Sequence, residues 1–339
     1  MIGRQTETLR RRGTVLVSSV HQNLLAHWRL SESDRAIIAH LQDDGRRPFV
    51  TIARALGLSE KTVRHRVHHL LEAKIIQIVA LTNPAALGYH AQALVGLTSD
   101  PAVAASEIAR ALTLIEDVDY VVISAGRYNL FAEIISRDLA SLKRAVEREI
   151  GAIAGVKSVE IFLYFSVYYQ KPKFFNRNES PAPNPGVKHK ELDSVDRRIA
   201  SELGRDGRMP FKEVALRLGL SETLVRTRVN SMIGAGQMNI LAIINPMNLE
   251  DHAIAWLGIK AATGTPRQAL AEEISRIPEV SYIAICAGRY DFFVEVVCSS
   301  KQQLLHVSTV GIGQIPGVSE VESFFYIDLH YKRLMPARG

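Results

Sequence analysis

The stretch from Asp34 to Tyr169 recurs as Asp196 to Tyr331 at a constant offset of 162, without insertion or deletion. The offset pairs Gly45-Arg46 with Gly207-Arg208, Pro48-Phe49 with Pro210-Phe211, and Asn83-Pro84 with Asn245-Pro246. It also pairs Ala125-Gly126-Arg127-Tyr128 with Ala287-Gly288-Arg289-Tyr290, Glu133 with Glu295, and Gly155-Val156 with Gly317-Val318. Solenoid repeats are about 20–50 residues long, so a period this large means a duplicated set of whole domains. Whatever one copy folds into, the other must be able to fold into as well.

Each copy opens with three short helical patterns. Ser33 is the expected N-cap of a helix over Asp34–Leu41, with Ile37, Ile38 and Leu41 on its apolar face. Asp44-Gly45-Arg46-Arg47-Pro48 is a turn, and Phe49, Ile52, Ala53 and Leu56 predict a second helix ended by Gly57. Gly57 can take positive φ at no steric cost, and Ser59 can cap the helix that follows. There Val63, Val67, Leu70 and Leu71 make an apolar stripe, and Lys61, Arg64, His65 and His68 occupy the opposite face. A capped, basic, half-apolar helix after a glycine turn is what reading a DNA major groove requires. The second copy repeats it from Gly219 and Ser221, but with Thr223, Arg226, Thr227 and Asn230 on the reading face. Ile75 to Leu81 is β-prone and is read as a connector.

The pattern then changes. Strands are expected at Ala91–Leu97, Val118–Ser124, Asn129–Ser136 and Val156–Val167, with helices at Pro101–Leu112 and Leu139–Ile150. The order βαββαβ predicts a ferredoxin-like antiparallel sheet with both helices on one face. The expected class is therefore α+β, two copies of a helix-turn-helix domain followed by a βαββαβ domain. The expected boundaries are a basic tail at 1–30, helix-turn-helix domains at 31–82 and 191–244, and sheet domains at 83–170 and 245–334. A proline-rich linker at 171–190 joins the copies.

Composition narrows the function classes. A net charge of +6 permits a polyanionic partner without requiring one. No apolar run approaches the length of a membrane span, so no membrane partner is expected. Two cysteines, Cys286 and Cys298, cannot build a disulfide framework and suit a reducing, cytoplasmic setting. No phosphate loop, dinucleotide fingerprint or nucleophile elbow is present. His65, His68, His69 and Glu72 stand at helical spacing that could chelate a metal, but the second copy has Thr227, Asn230, Ser231 and Gly234 there. The expectation is a non-enzyme with no cofactor and no metal.

The combination of Gly-Leu-Ser, Val-x-x-Arg-Val, and Gly-Arg-Tyr-Asn or Gly-Arg-Tyr-Asp between central strands resembles the Lrp/AsnC (feast/famine) transcriptional regulators, over each copy from end to end. The resemblance implies a regulator of double-stranded DNA whose sheet domain pairs subunits and binds a small-molecule effector such as an amino acid. On it, the DNA-contacting set is Ser59, Lys61, Thr62, Arg64, His65, Arg66 and His68, with Ser221, Thr223, Arg226, Thr227, Arg228 and Asn230. Arg64 and Arg226 are the candidates for base edges; Arg66 and Arg228, beside the apolar stripe, suit phosphate or the neighbouring helix. The implied effector turns are Gly126, Arg127, Tyr128 and Asn129, and Gly288, Arg289, Tyr290 and Asp291, where Asp291 could hold a ligand ammonium and Asn129 could not. One chain would then be an internal pseudo-dimer, open to further homo-oligomerisation, reading two unlike half-sites. Two alternatives stay open: an enzyme of the siroheme decarboxylase type, which shares this plan, and a nucleoid-like binder of little base selectivity.

Overall fold

The computed structural model describes residues 29–170, 190–244 and 252–331. The expected basic tail up to residue 28, the linker up to residue 189 and the Asn245-Pro246 turn lie outside them. The chain divides into two compact units. One takes residues 89–161 and 326–331, the first sheet domain with the last strand of the second copy. The other takes residues 29–88, 162–170, 190–244 and 252–325, and so holds both helix-turn-helix domains and the second sheet domain.

The first helix-turn-helix consists of α1 (Glu32–Asp43), α2 (Phe49–Leu56) and α3 (Glu60–Glu72). α1 begins before the expected Ser33 cap. Ser31 is the cap instead: its hydroxyl accepts from the Asp34 N–H at 3.1 Å, and the Asp34 carboxylate accepts from the Ser31 N–H at 3.2 Å. That reciprocal pair satisfies two otherwise orphaned donors. α2 ends at Gly57 with φ 66°, and the Ser59 hydroxyl accepts from the Thr62 N–H to start α3. Ile37, Ile38, Leu41, Ile52, Val63 and Val67 are almost wholly buried between these helices.

β1 (Ile76–Thr82) is more than a connector. It pairs antiparallel along its length with β6 (Met238–Ile244), from Ile76 opposite Ile244 to Thr82 opposite Met238. The second helix-turn-helix, α6 (Ser194–Arg205), α7 (Phe211–Leu218) and α8 (Glu222–Gly234), is fastened to the first through that ribbon. The fastening is reciprocal. The Gly45 N–H donates to the Ile240 carbonyl and the Gly207 N–H to the Ile78 carbonyl, both at 2.8 Å. Arg46 Nη1 donates to the Gly207 and Met209 carbonyls at 2.7 and 3.0 Å; Arg208 Nη1 donates to those of Gly45 and Arg47 at 2.8 and 3.3 Å. Arg46 lies over the Phe211 ring at 4.2 Å, and Arg208 over Phe49 at 4.3 Å. Burial, and for Arg46 the facing Arg208, holds both guanidinium pKa values below the ordinary arginine range.

In the other unit the first sheet domain comprises β2 (Ala91–Ser99), α4 (Ala105–Leu112), β3 (Val118–Ile123), β4 (Leu130–Ser136), α5 (Leu139–Arg144) and the start of β5 (Val156–Gln170). α4 starts later than the expected Pro101, because Asp100 accepts from the Ala102 N–H and holds that stretch as a turn. α5 passes into a π-helical turn over Ala145–Ile150 instead of running as one α-helix. The second copy has β7 (Ala253–Ala261), α9 (Arg267–Ser275), β8 (Val280–Ala287), β9 (Phe292–Cys298), α10 (Lys301–His306) and β10 (Val318–Phe325), then β11 (Asp328–Tyr331). Leu257, Ile259, Leu270, Ile274, Val294 and Leu304 form its helix-side core.

The ends of the two copies are exchanged. The end of β5 pairs with β8, placing Leu163 opposite Ala287 and Val167 opposite Ala284. β11 in turn pairs with β3, placing Asp328 opposite Ile123 and His330 opposite Val121. Each copy's last strand is thus completed by the other copy's hairpin.

The close approach at the turns makes a prediction. A Cβ on Gly45 would lie 2.9 Å from the Leu241 backbone, and one on Gly207 2.9 Å from the Val79 backbone. Gly45→Ala and Gly207→Ala should each destabilise the chain by about 1–3 kcal/mol, the usual cost of overpacking. Urea unfolding followed by circular dichroism checks it, and an unchanged midpoint would refute the docking.

Candidate nucleic-acid interface and candidate effector turns

The two reading helices are built alike. Ser59 and Ser221 cap them through the N–H groups of Thr62 and Leu224. Arg64 Nη2 donates to Glu60 at 2.5 Å and Arg226 Nη2 to Glu222 at 2.9 Å, pairs four residues apart on one face. The two guanidiniums also lean over Phe49 and Phe211, at 5.4 and 5.3 Å from the ring centroids. With side chains 65% and 58% exposed, they are aimed but not buried. Exposed ion pairs contribute little net stability, so either arginine can leave its glutamate for a base edge or a phosphate at small cost. Lys61, His65 and His68 are exposed on α3; Thr223, Thr227 and Asn230 are exposed on α8. His68 Nε2 stands 3.1 Å from Glu72.

Arg66 and Arg228 sit differently from the other candidates. Arg66 Nη1 donates to Asp34 at 3.0 Å and to Ser31 at 3.2 Å; Arg228 Nη1 donates to Asp193 at 2.6 Å and Asp196 at 3.3 Å. These acceptors form the first turn of α1 or α6, so each arginine ties its reading helix to the start of the domain. Of the two roles open to them, this is contact with the neighbouring helix. Glu60 and Glu222 are not among the residues that the sequence marks, and Phe49 and Phe211 stand there as parts of the repeat and of the α2 apolar pattern, not as contacts of the reading face. The Glu–Arg spacing was visible there, but the ring contact is made only when α2 packs on α3.

The candidate effector turns lie between β3 and β4 and between β8 and β9, and the structure gives their residues distinct tasks. Gly126 and Gly288 take φ of 114° and 131°. Arg127 and Arg289 are exposed. Tyr128 and Tyr290, by contrast, are buried rings seated where Gly96 and Gly258 lack a Cβ; an added carbon would come within 2.7 and 2.9 Å of them. Their hydroxyls donate to Glu160 and Glu322. Phe293 meets Tyr290 edge-on at 5.3 Å, and Phe162 lies 4.7 Å from Phe293. The tyrosines are core residues that hold the turn in place.

Asn129 and Asp291 perform one geometric task with two chemistries. Asn129 Oδ1 accepts from the Ser99 N–H at 2.9 Å, and Asp291 Oδ2 from the equivalent Ala261 N–H at 3.0 Å. The buried carboxylate needs counter-charge, and Arg267 (2.5 Å) and Lys260 (3.2 Å) supply it. The first copy has Ala105 and Thr98 at those positions. The sequence-based expectation of Asp291 holding a ligand ammonium meets this arrangement: the carboxylate already serves cations of its own chain. Burial pushes the Asp291 carboxyl up, but the bonds from Ala261, Arg267 and Lys260 outweigh it and leave its pKa below the usual 3.8. Beside it, burial first and Asp291 second push the Cys286 thiol up to about 12, so it stays protonated.

A carboxylate with a depressed folded-state pKa stabilises the fold above its unfolded value, and that stability is lost as pH falls through the folded value. Asp291 should therefore withdraw stability only below about pH 4. Urea midpoints measured from neutral pH downward should show Asp291→Asn with a shallower acid limb than the native chain. Parallel limbs would show that the carboxylate carries no such linkage.

Comparison with known proteins fits this geometry. Residues 30–71 and 192–233 match the AsnC-type helix-turn-helix domain, and residues 92–174 and 252–335 the Lrp/AsnC ligand binding domain. An uncharacterised HTH-type transcriptional regulator of Pyrococcus abyssi is 34% identical over 134 residues, 39% of this chain and 84% of that protein. LrpA, an HTH-type transcriptional regulator of Pyrococcus horikoshii, is 36% identical over 131 residues, 38% of this chain and 92% of that one. The proline dehydrogenase transcriptional activator of Rhizobium radiobacter is 30% identical over 138 residues, 40% and 88% of the two chains. Each of these relatives spans one copy. The crystal structure of the siroheme decarboxylase NirDL shares the fold over both copies, with a TM-score of 0.61 at 17% identity, covering 91% of this chain and 95% of that one.

Proposed function

The chain belongs to the Lrp/AsnC family and carries the family's two domains twice, and from that we propose that it is a sequence-specific transcriptional regulator binding two unlike DNA half-sites at once. The observation that carries the reading is the pair of capped helices held in one unit, each presenting an exposed arginine braced by a glutamate and a phenylalanine. Arginine can pair bidentately with guanine, and phosphate contacts from the remaining cations set affinity and its dependence on salt. Lys61, His65 and His68 stand against Thr223, Thr227 and Asn230, so the halves of the operator differ. Because the ribbon and the two arginine clasps join the readers, the pair comes already assembled.

The sheet domains are the sensing elements of this reading, with a small molecule such as an amino acid bound near the turns at residues 126–129 and 288–291. Arg127 and Arg289 are the exposed side chains there. Arg289→Ala should remove a ligand-induced change in operator affinity and leave affinity without ligand intact. Siroheme decarboxylase chemistry rests on likeness of fold alone, and a Soret band on the purified chain would favour it over regulation.

Selection from random DNA followed by fluorescence anisotropy with excess competitor tests the proposal. The selected site should beat random DNA by about a thousandfold or more at physiological salt. Arg64→Ala and Arg226→Ala should each cost about 1–3 kcal/mol. A perfect palindrome would remove the unlike half-sites, and equal affinity for random DNA would leave only an architectural binder.

A further inference from the structure

Comparison of α3 with α8 separates a frame from a face. The serine cap, the Glu–Arg pair over a phenylalanine and the arginine tied to the first helix are the same in both. In the opening two turns, what differs lies together. Positions 61, 62 and 65 carry Lys, Thr and His; positions 223, 224 and 227 carry Thr, Leu and Thr. Position 65 stands four residues from 61 and three from 62, so it is the neighbour of both on one side of the helix, and all three fall in the opening turns, where reading helices meet base edges.

The character of the face changes with the residues. Leu224 is 37% exposed. Its counterpart Thr62 is half-buried, with its hydroxyl 2.8 Å from the Ser59 hydroxyl. A single exposed leucine is ordinary on a protein surface. Here, however, it comes with two further changes in the same turns: Lys61 and His65 give way to Thr223 and Thr227, inside a frame that does not vary. The apolar group presented by base pairs in the major groove is the C5 methyl of thymine, whereas lysine suits the guanine edge.

We propose that α8 reads thymine methyl groups through Leu224, with Thr223 and Thr227 beside it, while α3 reads guanine edges and phosphates through Lys61; Arg64 and Arg226 belong to the shared frame and serve both halves alike. The assignment rests on the chain being a sequence-specific DNA regulator and names what each half of its operator contains. The half beneath α8 carries contacted thymines, and the half beneath α3 carries a contact to lysine in their place.

The test uses the full chain and its selected operator. Thymines are replaced by deoxyuridine in one half at a time, which keeps base pairing and removes only the methyl. Substitution in one half should weaken binding by about fourfold per contacted thymine, the worth of burying one such carbon. Substitution in the other half should leave affinity unchanged. Leu224→Ala, a change to a better helix former at an exposed position, should abolish the deoxyuridine effect, and Leu224→Met should retain it. Lys61→Ala should lower affinity while leaving that effect intact. Equal sensitivity in both halves, none in either, or sensitivity that survives Leu224→Ala overturns the assignment while the regulator reading stands. Failure to select any operator, seen before deoxyuridine is introduced, overturns the regulator reading and this assignment with it.

Discussion

Each helix-turn-helix is finished by the other. The turn at Asp44-Gly45-Arg46 lies so close to β6 that only hydrogen fits at the Gly45 Cα, and Arg46 closes the contact on two carbonyls of the opposite turn. Asp206-Gly207-Arg208 does the same against β1. The carbonyls and half-buried guanidiniums satisfy one another, which is the condition for taking such groups out of water. Separating the domains would strand two arginines, four carbonyls and a ribbon of backbone donors. The two helix-turn-helix domains are therefore held as a pair.

A covalent duplication makes this pairing permanent. Two domains on one chain meet at an effective concentration set by the chain that joins them, and no dilution separates them. It also releases the copies from identity. In a homodimer every substitution appears on both sides of the axis, whereas here each copy changes alone. α8 has lost the lysine and histidines of α3 and gained an exposed leucine. The turn after β8 has replaced the neutral acceptor Asn129 by Asp291, together with the two cations a buried carboxylate needs. The geometry is symmetric and the electrostatics are not.

The buried tyrosines show how a motif can be read correctly as to place and differently as to task. Gly-Arg-Tyr marks a turn between central strands in both copies. The tyrosine itself faces inward onto a glycine of the neighbouring strand, and its hydroxyl meets a glutamate from β5 or β10. Only the arginine of the motif is presented outward. The same holds for Arg66 and Arg228, which lie on the reading helices and serve the packing of α1 and α6. Residue type and helical spacing select candidates. The partner across the fold decides which of them face solvent.

Local chemistry determined much of this protein in advance. The 162-residue offset, the glycine-ended α2, the Ser59 and Ser221 caps, the apolar stripes and the strand order all depend on contacts within a few residues or on simple periodicity, and they are legible in the chain. The true start of α1 at Ser31 was within the same reach, as a capping box. What only the tertiary structure decided is where distant segments meet. β1 binds β6, the ends of the copies exchange hairpins, Arg46 seeks the carbonyl of Gly207, and Asp291 closes on Lys260 and Arg267. These contacts join residues far apart in sequence, and β-pairing and buried charge carry no local period that would announce the partner.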